Sequence, residues 1–199
     1  ITDLTVRQAS QDEPFKALDS NEYKLNSEVM VVSSKGKAVA IAGVIGGEES
    51  GCQETTNSII LEAAHFTAEA VIKSGRQVNI NTSSRYRFER HVDPSLPFSI
   101  AQLALAMIAH FTKGKASGVL LVGSNREKPE VIKLNKGHFA KLTGLNLELA
   151  MMPKLLERLG CTVTENSNYF AVTPPTWRPD LILPEDLIEE LLRLHGYDN

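Results

Sequence analysis

A polar stretch from Gly123 to Glu130 (Gly-Ser-Asn-Arg-Glu-Lys-Pro-Glu) sets the first limit on this chain, because it offers no core face to bury. It reads as a linker, and the sequence pattern changes across it. A domain boundary near Lys128 follows, which divides the chain into residues 1–127 and 128–199. The 199 residues, 42% hydrophobic and 23% charged, are enough for one or two globular domains. No run approaches the uninterrupted apolar length of a membrane span. The chain begins at Ile1 with no charged-then-apolar leader, as expected for an internal piece of a longer protein. Cys52 and Cys161 show no Cys-x-x-Cys spacing, which disfavours a disulfide framework or thiolate metal site and points to a reducing cytoplasm. The net charge of -3 carries no global signature of polyanion binding, so any nucleic-acid contact requires a local basic patch.

The first part reads as β. The runs Leu4–Ala9, Val29–Ser33 and Ala38–Ala42 are rich in β-branched and small apolar residues, with turn chemistry at Ser33-Ser34-Lys35-Gly36. Ser58–Ala63 predicts another buried strand. A short helix is expected next, with Thr67 as N-cap, Glu69 in the first turn and Gly75 as its stop. The clearest helix has Asp93 as cap and Pro94 at the first helical position. In it Leu96, Ile100, Leu103, Met107 and Phe111 recur at helical spacing before Gly114. Ala101, Leu105 and Ile108 make its other faces apolar, which predicts deep burial. Past the linker, helices are expected around Lys136–Leu142, Met152–Leu159 and Pro184–His195, with two β-like runs, Cys161–Glu165 and Tyr169–Thr173.

Four motifs could carry chemistry, and each also has a plain structural explanation. Gly43-Val44-Ile45-Gly46-Gly47-Glu48-Glu49-Ser50-Gly51 either lets a ligand approach the backbone or makes a tight turn; it matches neither a dinucleotide fingerprint nor a P-loop. Glu62, set in the apolar run Ile59–Ala64, either points to water from an edge strand or faces a pocket where it needs a partner. From Asn81 to Pro94, hydroxyls lead into Arg85, Arg87 and Arg90 interleaved with Tyr86 and Phe88, a mixture suited to RNA phosphates and bases. An ion-paired strand with Arg85, Arg87 and Glu89 on one face explains the same residues. In the last helix Asp186, Glu189 and Glu190 fall on one side, and helix capping accounts for most of that acidity. With Asp180 just before the helix, the four could instead form a hard-cation site for Mg²⁺. The five histidines show no mutual metal-ligand spacing, and no nucleophile–base pair is visible.

The order of these motifs resembles one family. Gly43-Val44-Ile45-Gly46-Gly47-Glu48-x-Ser50-Gly51, Leu61-Glu62-Ala63 and Arg87-Phe88-Glu89-Arg90-x-Val92-Asp93-Pro94 resemble the editing domain of the bacterial-type phenylalanyl-tRNA synthetase β subunit. Arg158-Leu159-Gly160-Cys161, Pro175-x-Trp177-Arg178-x-Asp180, Glu185-Asp186-Leu187-Ile188-Glu189-Glu190 and Gly196-Tyr197 are similar to that family's small fifth domain. The resemblance implies an α+β chain: a mixed, β-rich editing domain with buried helices, then a small, helix-rich α+β domain of winged-helix-like architecture. It implies hydrolysis of mischarged Tyr-tRNA(Phe) by a positioned water, within an enzyme that charges tRNA(Phe) with phenylalanine at the expense of ATP. Glu62 would recognise the tyrosine hydroxyl, with Gly43, Gly46, Gly47, Thr82 and Ser84 lining the pocket. Mg²⁺ would lie on Asp180, Asp186, Glu189 and Glu190. The expected partners are tRNA(Phe) and the α subunit of an α2β2 heterotetramer, with no membrane. Two departures stand out: the Pro-Leu-His-Ala-Phe segment usual upstream is not in this chain, and Thr-Asp-Ala-Ser reads Thr82-Ser83-Ser84-Arg85. A non-catalytic module binding RNA or a subunit, and a freestanding trans-editing protein, are the competing expectations.

Overall fold

The computed structural model describes residues 3–123 and 129–197; the boundary expected near Lys128 lies outside the described residues. The chain forms two compact units, Ile1–Val92 with Leu96–Leu121, and Val122–Asn199 with Asp93–Ser95. Each has its own hydrophobic core. In the first unit the strands precede the helices and in the second the two are interleaved, and the strand pairs among the described residues are antiparallel, so the α+β class is observed.

In the first unit the strands are β1 (Thr5–Gln8), β2 (Glu13–Lys16), β3 (Glu22–Leu25), β4 (Met30–Ser34), β5 (Lys37–Ile41) and β6 (Ile45–Gly46). They form a sheet in the order β1-β4-β5-β6 and a separate β2-β3 hairpin. β4 is central and apolar, and Val31 and Val32 are buried beside Ile41. The turn after β4 places Lys35 at φ 50 and Gly36 at φ 79, the left-handed pair that closes a tight hairpin. β2 and β3 are short and half polar, which is why periodicity alone does not reveal them.

Helix α1 (Ala68–Val78) buries Ala68, Val71, Ser74, Gly75 and Val78. Gly75 therefore does not stop it. The helix runs on to Asn79, which takes the left-handed φ of 52 that ends many helices. Gly75 serves close approach, because a Cβ there would collide with the Arg85 guanidinium. Thr67 occupies the N-cap position but makes no side-chain cap bond.

Three further expectations are corrected. Residues 58–63 form no strand, and Ile59, Ile60 and Leu61 are exposed. No strand pairs with them among the described residues. The segment expected as an ion-paired strand is a short helix, α2 (Ser83–Phe88), where Arg85 and Glu89 pair at i,i+4. Helix α3 (Leu96–Thr112) starts two residues later than expected, because Asp93 Oδ1 accepts from the N–H of Ser95 and makes an Asx turn. No residue of α3 is buried, and Phe111 is 74% exposed. Its apolar faces are exposed or half-buried, because no other helix or strand among the described residues makes more than a slight contact with it.

The second unit is a three-stranded sheet in the order β7-β9-β8, from β7 (Ile132–Asn135), β8 (Thr162–Glu165) and β9 (Tyr169–Thr173). Helices α4 (His138–Thr143), α5 (Met151–Arg158) and α6 (Pro184–His195) accompany it. β7 was hidden in sequence by its polar outward residues, Lys133 and Asn135, and by its nearness to the polar stretch. Leu187, Ile188 and Leu191 of α6 join Phe139, Leu156 and Phe170 in the core. Each side chain so buried stabilises the unit by about 1.5–3 kcal/mol. Gly160 has φ +89 after α5, and Trp177 lies where its Cβ would be, which accounts for glycine in Arg158-Leu159-Gly160-Cys161.

Two measurements check this packing. Gly75→Ala lowers stability to urea by about 1–3 kcal/mol through collision with Arg85; a gain of about 1 kcal/mol, normal for this exchange inside a helix, would refute the contact. Glu13 accepts both bonds of an Arg7 fork, at 2.8 and 2.7 Å. That pairing outweighs partial burial and, with backbone donors from Ser10 and Ala38, holds its pKa at about 2. Below the ordinary carboxylate range the unfolded chain takes up a proton while folded Glu13 stays ionised. On the order of 3 kcal/mol is therefore lost as pH falls toward 2. Thermal melts of wild type and Glu13→Gln should differ at neutral pH and converge in acid.

Candidate glycine-loop pocket and acidic helix

The first candidate site begins with backbone geometry at the glycine loop. Gly43 takes φ +69, and a Cβ there would press into Val71, Phe88 and Phe66. Phe66 and Phe88 are themselves in tilted contact, their ring centres 5.5 Å apart. Gly46 lies against Leu18 at the end of β6. Gly47 sits behind the loop, where a Cβ would meet the Val39 carbonyl oxygen at 2.8 Å and the Phe15 ring. It serves strand packing and does not face the concavity.

Helix α2 is fastened to this loop by its hydroxyls. Thr82 Oγ1 donates to the Val44 carbonyl at 2.7 Å and accepts from the N–H of Arg85, so one residue caps α2 and holds the loop. Ser84 Oγ donates to the Gly43 carbonyl at 3.0 Å. Arg85 turns inward: Nε pairs with Glu89, while Nη1 donates to the carbonyls of Gly75 and Ile80 and to Asn81 Oδ1. Its donors thus serve the end of α1. Arg87 and Arg90 are exposed, and Arg90 lies over the Tyr86 ring at 3.6 Å from its centre.

These pieces frame one concavity of about 650 Å³, large enough for a small organic group. Gly43, Gly46, Glu62, Ser84, Arg87 and Phe88 are on its wall. Thr82 is beside it and acts through Val44. The Glu62 residue is exposed overall, yet protein crowds its carboxylate, and the lost hydration raises its pKa above the ordinary value. No hydrogen bond or ion pair reaches it among the described residues. A carboxylate in that state is ready to accept from a ligand hydroxyl. Phe66, Phe88 and Ile100 line the same concavity. In sequence Phe88 read as part of an RNA-binding mixture and Ile100 as a buried helix face, and Phe66 was not singled out, because an isolated apolar residue reads there as core.

The acidic residues of the second unit are arranged differently. Asp186 Oδ2 accepts from the N–H groups of Ile182 and Leu183, at 2.9 and 2.7 Å, capping α6 where Leu183 offers no side-chain acceptor. Arg178 forks onto both oxygens of Asp180, with Nε at 2.8 Å and Nη2 at 2.6 Å, and Nη2 also donates to Glu190 at 2.8 Å. Arg193 holds the other oxygen of Glu190. Arg178 keeps the Asp180 pKa low. Burial pushes Glu190 up, but its two arginines outweigh this and its pKa is lowered. Glu189 is exposed. No group of three or more carboxylate, His or Cys residues is gathered around a possible cation among the described residues. The four acids expected to bind Mg²⁺ therefore do not fit a metal centre in this arrangement.

Comparison with known proteins places these observations in a family. Residues 1–113 match the model for the B3/4 domain, and residues 132–197 match that for the tRNA synthetase B5 domain. Phenylalanine–tRNA ligase β subunits from Paramagnetospirillum magneticum and Vibrio vulnificus are 36% and 37% identical over 99% and 98% of the chain, in each case 25% of the relative. That of a Wolbachia from Brugia malayi is 38% identical over 98% of the chain and 25% of its own length. The chain spans about a quarter of the length of these relatives. It belongs to the phenylalanine–tRNA ligase β subunit family, of which it carries the B3/4 and B5 domains.

Proposed function

We propose that the first unit hydrolyses mischarged Tyr-tRNA(Phe), within a phenylalanine–tRNA ligase that charges tRNA(Phe) at the expense of ATP. The observation that carries this reading is Glu62, a partially desolvated carboxylate without a protein partner, on the wall of a concavity made by the glycine loop and α2. Tyrosine differs from phenylalanine by one hydroxyl, and an apolar synthetic pocket rejects such an addition only weakly. A second pocket that hydrogen-bonds the hydroxyl removes the error. Glu62 accepts that hydrogen bond, and Phe66 and Phe88 offer aromatic surface to the ring.

Thr82 and Ser84 act through the loop, by fixing Gly43 and Val44. Gly43 and Gly46 admit the ester close to the backbone, and Gly47 sets the loop behind them. With no nucleophile–base pair beside Glu62 among the described residues, the ester is attacked by a water held in the site. Arg87 and Arg90 meet the RNA, with Arg85 supporting α2 from within. The Arg90–Tyr86 pair favours that contact, since a guanidinium and an aromatic face together suit phosphate and base.

The whole protein works with an α subunit as an α2β2 heterotetramer in the cytoplasm. No helix of the described residues is long and apolar enough to cross a membrane. Mg²⁺ accompanies ATP in the ligase reaction, as phosphate chemistry requires. The B5 domain that follows in this chain and its relatives favours the intact subunit over a freestanding editing protein.

The test is deacylation by the complete ligase. Glu62→Ala reduces the preference for Tyr-tRNA(Phe) over Phe-tRNA(Phe) by about tenfold or more, the value of one lost hydrogen bond in a shielded site. Unchanged discrimination removes Glu62 from this role.

A further inference from the structure

We infer that Arg178 is the resident cation of the acidic group on α6, its guanidinium holding the place a divalent ion would need between Asp180 and Glu190. The inference is independent of the editing reading, since it concerns only the second unit. Both oxygens of Asp180 and both of Glu190 are occupied by arginine donors, and Asp186 spends Oδ2 on two backbone N–H groups. A planar fork suits two carboxylates at once, which a spherical ion achieves only by gathering their lone pairs at short, near-octahedral distances.

The position of Arg178 is also fixed by its own backbone. Its N–H donates to the Pro175 carbonyl, and its carbonyl accepts from Leu181, so the turn from Pro175 to Leu181 presents the side chain to α6. The Arg178 and Glu190 side chains are only 22% and 14% exposed. For Mg²⁺ to take both Asp180 and Glu190, the guanidinium must withdraw and leave its own charge without these partners, at a cost that rises with burial. The ion would also face the positive charge of Arg178. The acids at 180 and 190 thus bind the Trp177 turn to α6 through an internal ion, and the fold of this unit needs no metal.

The test uses the whole chain, stripped of metal, with Mn²⁺ as the probe. Paramagnetic resonance should find the ion free, and millimolar Mg²⁺ should leave the Tm unmoved. Trp177, the single tryptophan, reports melting of the second unit by fluorescence. One Mn²⁺ bound per chain and lost in Asp186→Asn overturns the inference. Arg178→Met lowers the Tm by several degrees, and adding Asp180→Asn to it costs little more, because the partner has already gone. Two losses that simply add contradict the proposed link. Should Arg178→Met fail to fold, the Mn²⁺ titration decides alone.

Discussion

The last turn of α1 and the residues after it leave carbonyls without helix partners, and these take donors from outside the helix. Arg85 provides them. Its guanidinium reaches Gly75 and Ile80 from α2, is steadied by Glu89, and occupies the space that glycine at position 75 leaves open. That one side chain fixes α2 against α1. With α2 fixed, Thr82 and Ser84 can hold the Val44 and Gly43 carbonyls, and the loop keeps the shape that opens the concavity. The site is therefore built in sequence: a half-buried ion pair, then a helix cap, then a glycine loop.

The same device recurs in both units. Arg7 forks onto Glu13 between β1 and β2, and Arg178 forks onto Asp180 while reaching Glu190. Each is a planar donor set matched to carboxylate geometry in a partly shielded place, where such pairing gives orientation as well as attraction. Glu62 is the contrast. It lies in partial shielding on a wall that Arg87 shares, with no guanidinium bonded to it among the described residues, and that unfilled capacity is what the proposed reading assigns to a ligand.

Sequence patterns conveyed some of this well and the rest poorly, for physical reasons. Pro184–His195 was legible to the residue, because Pro184, the acidic first turn and the leucine spacing all report on one helix. The glycine loop and Glu62 were legible as unusual, although the close approach of Gly47 to Val39 and Phe15 behind the loop was not. Gly75 misled, since a glycine in a helical pattern can mark a close neighbour as well as an end. The apolar run at Ile59–Leu61 and the all-round apolar α3 misled about burial. Periodicity states that a surface suits burial; it does not state what covers it. The direction in which Arg85 and Arg178 point was not legible at all, because a guanidinium looks the same in sequence whether it meets solvent, RNA or a carboxylate.

The central claim is that Glu62 reads a hydroxyl from the wall of this concavity. It is tested most directly by binding to the complete ligase, without any reaction, using non-hydrolysable amide analogues of tyrosyl- and phenylalanyl-adenosine with nuclear magnetic resonance of labelled glutamate side chains. The tyrosyl analogue should bind about tenfold or more tightly and shift the Glu62 carboxyl signal, while the phenylalanyl analogue leaves that signal in place. Equal affinities, or tyrosyl binding that leaves the Glu62 signal unmoved, would contradict the account.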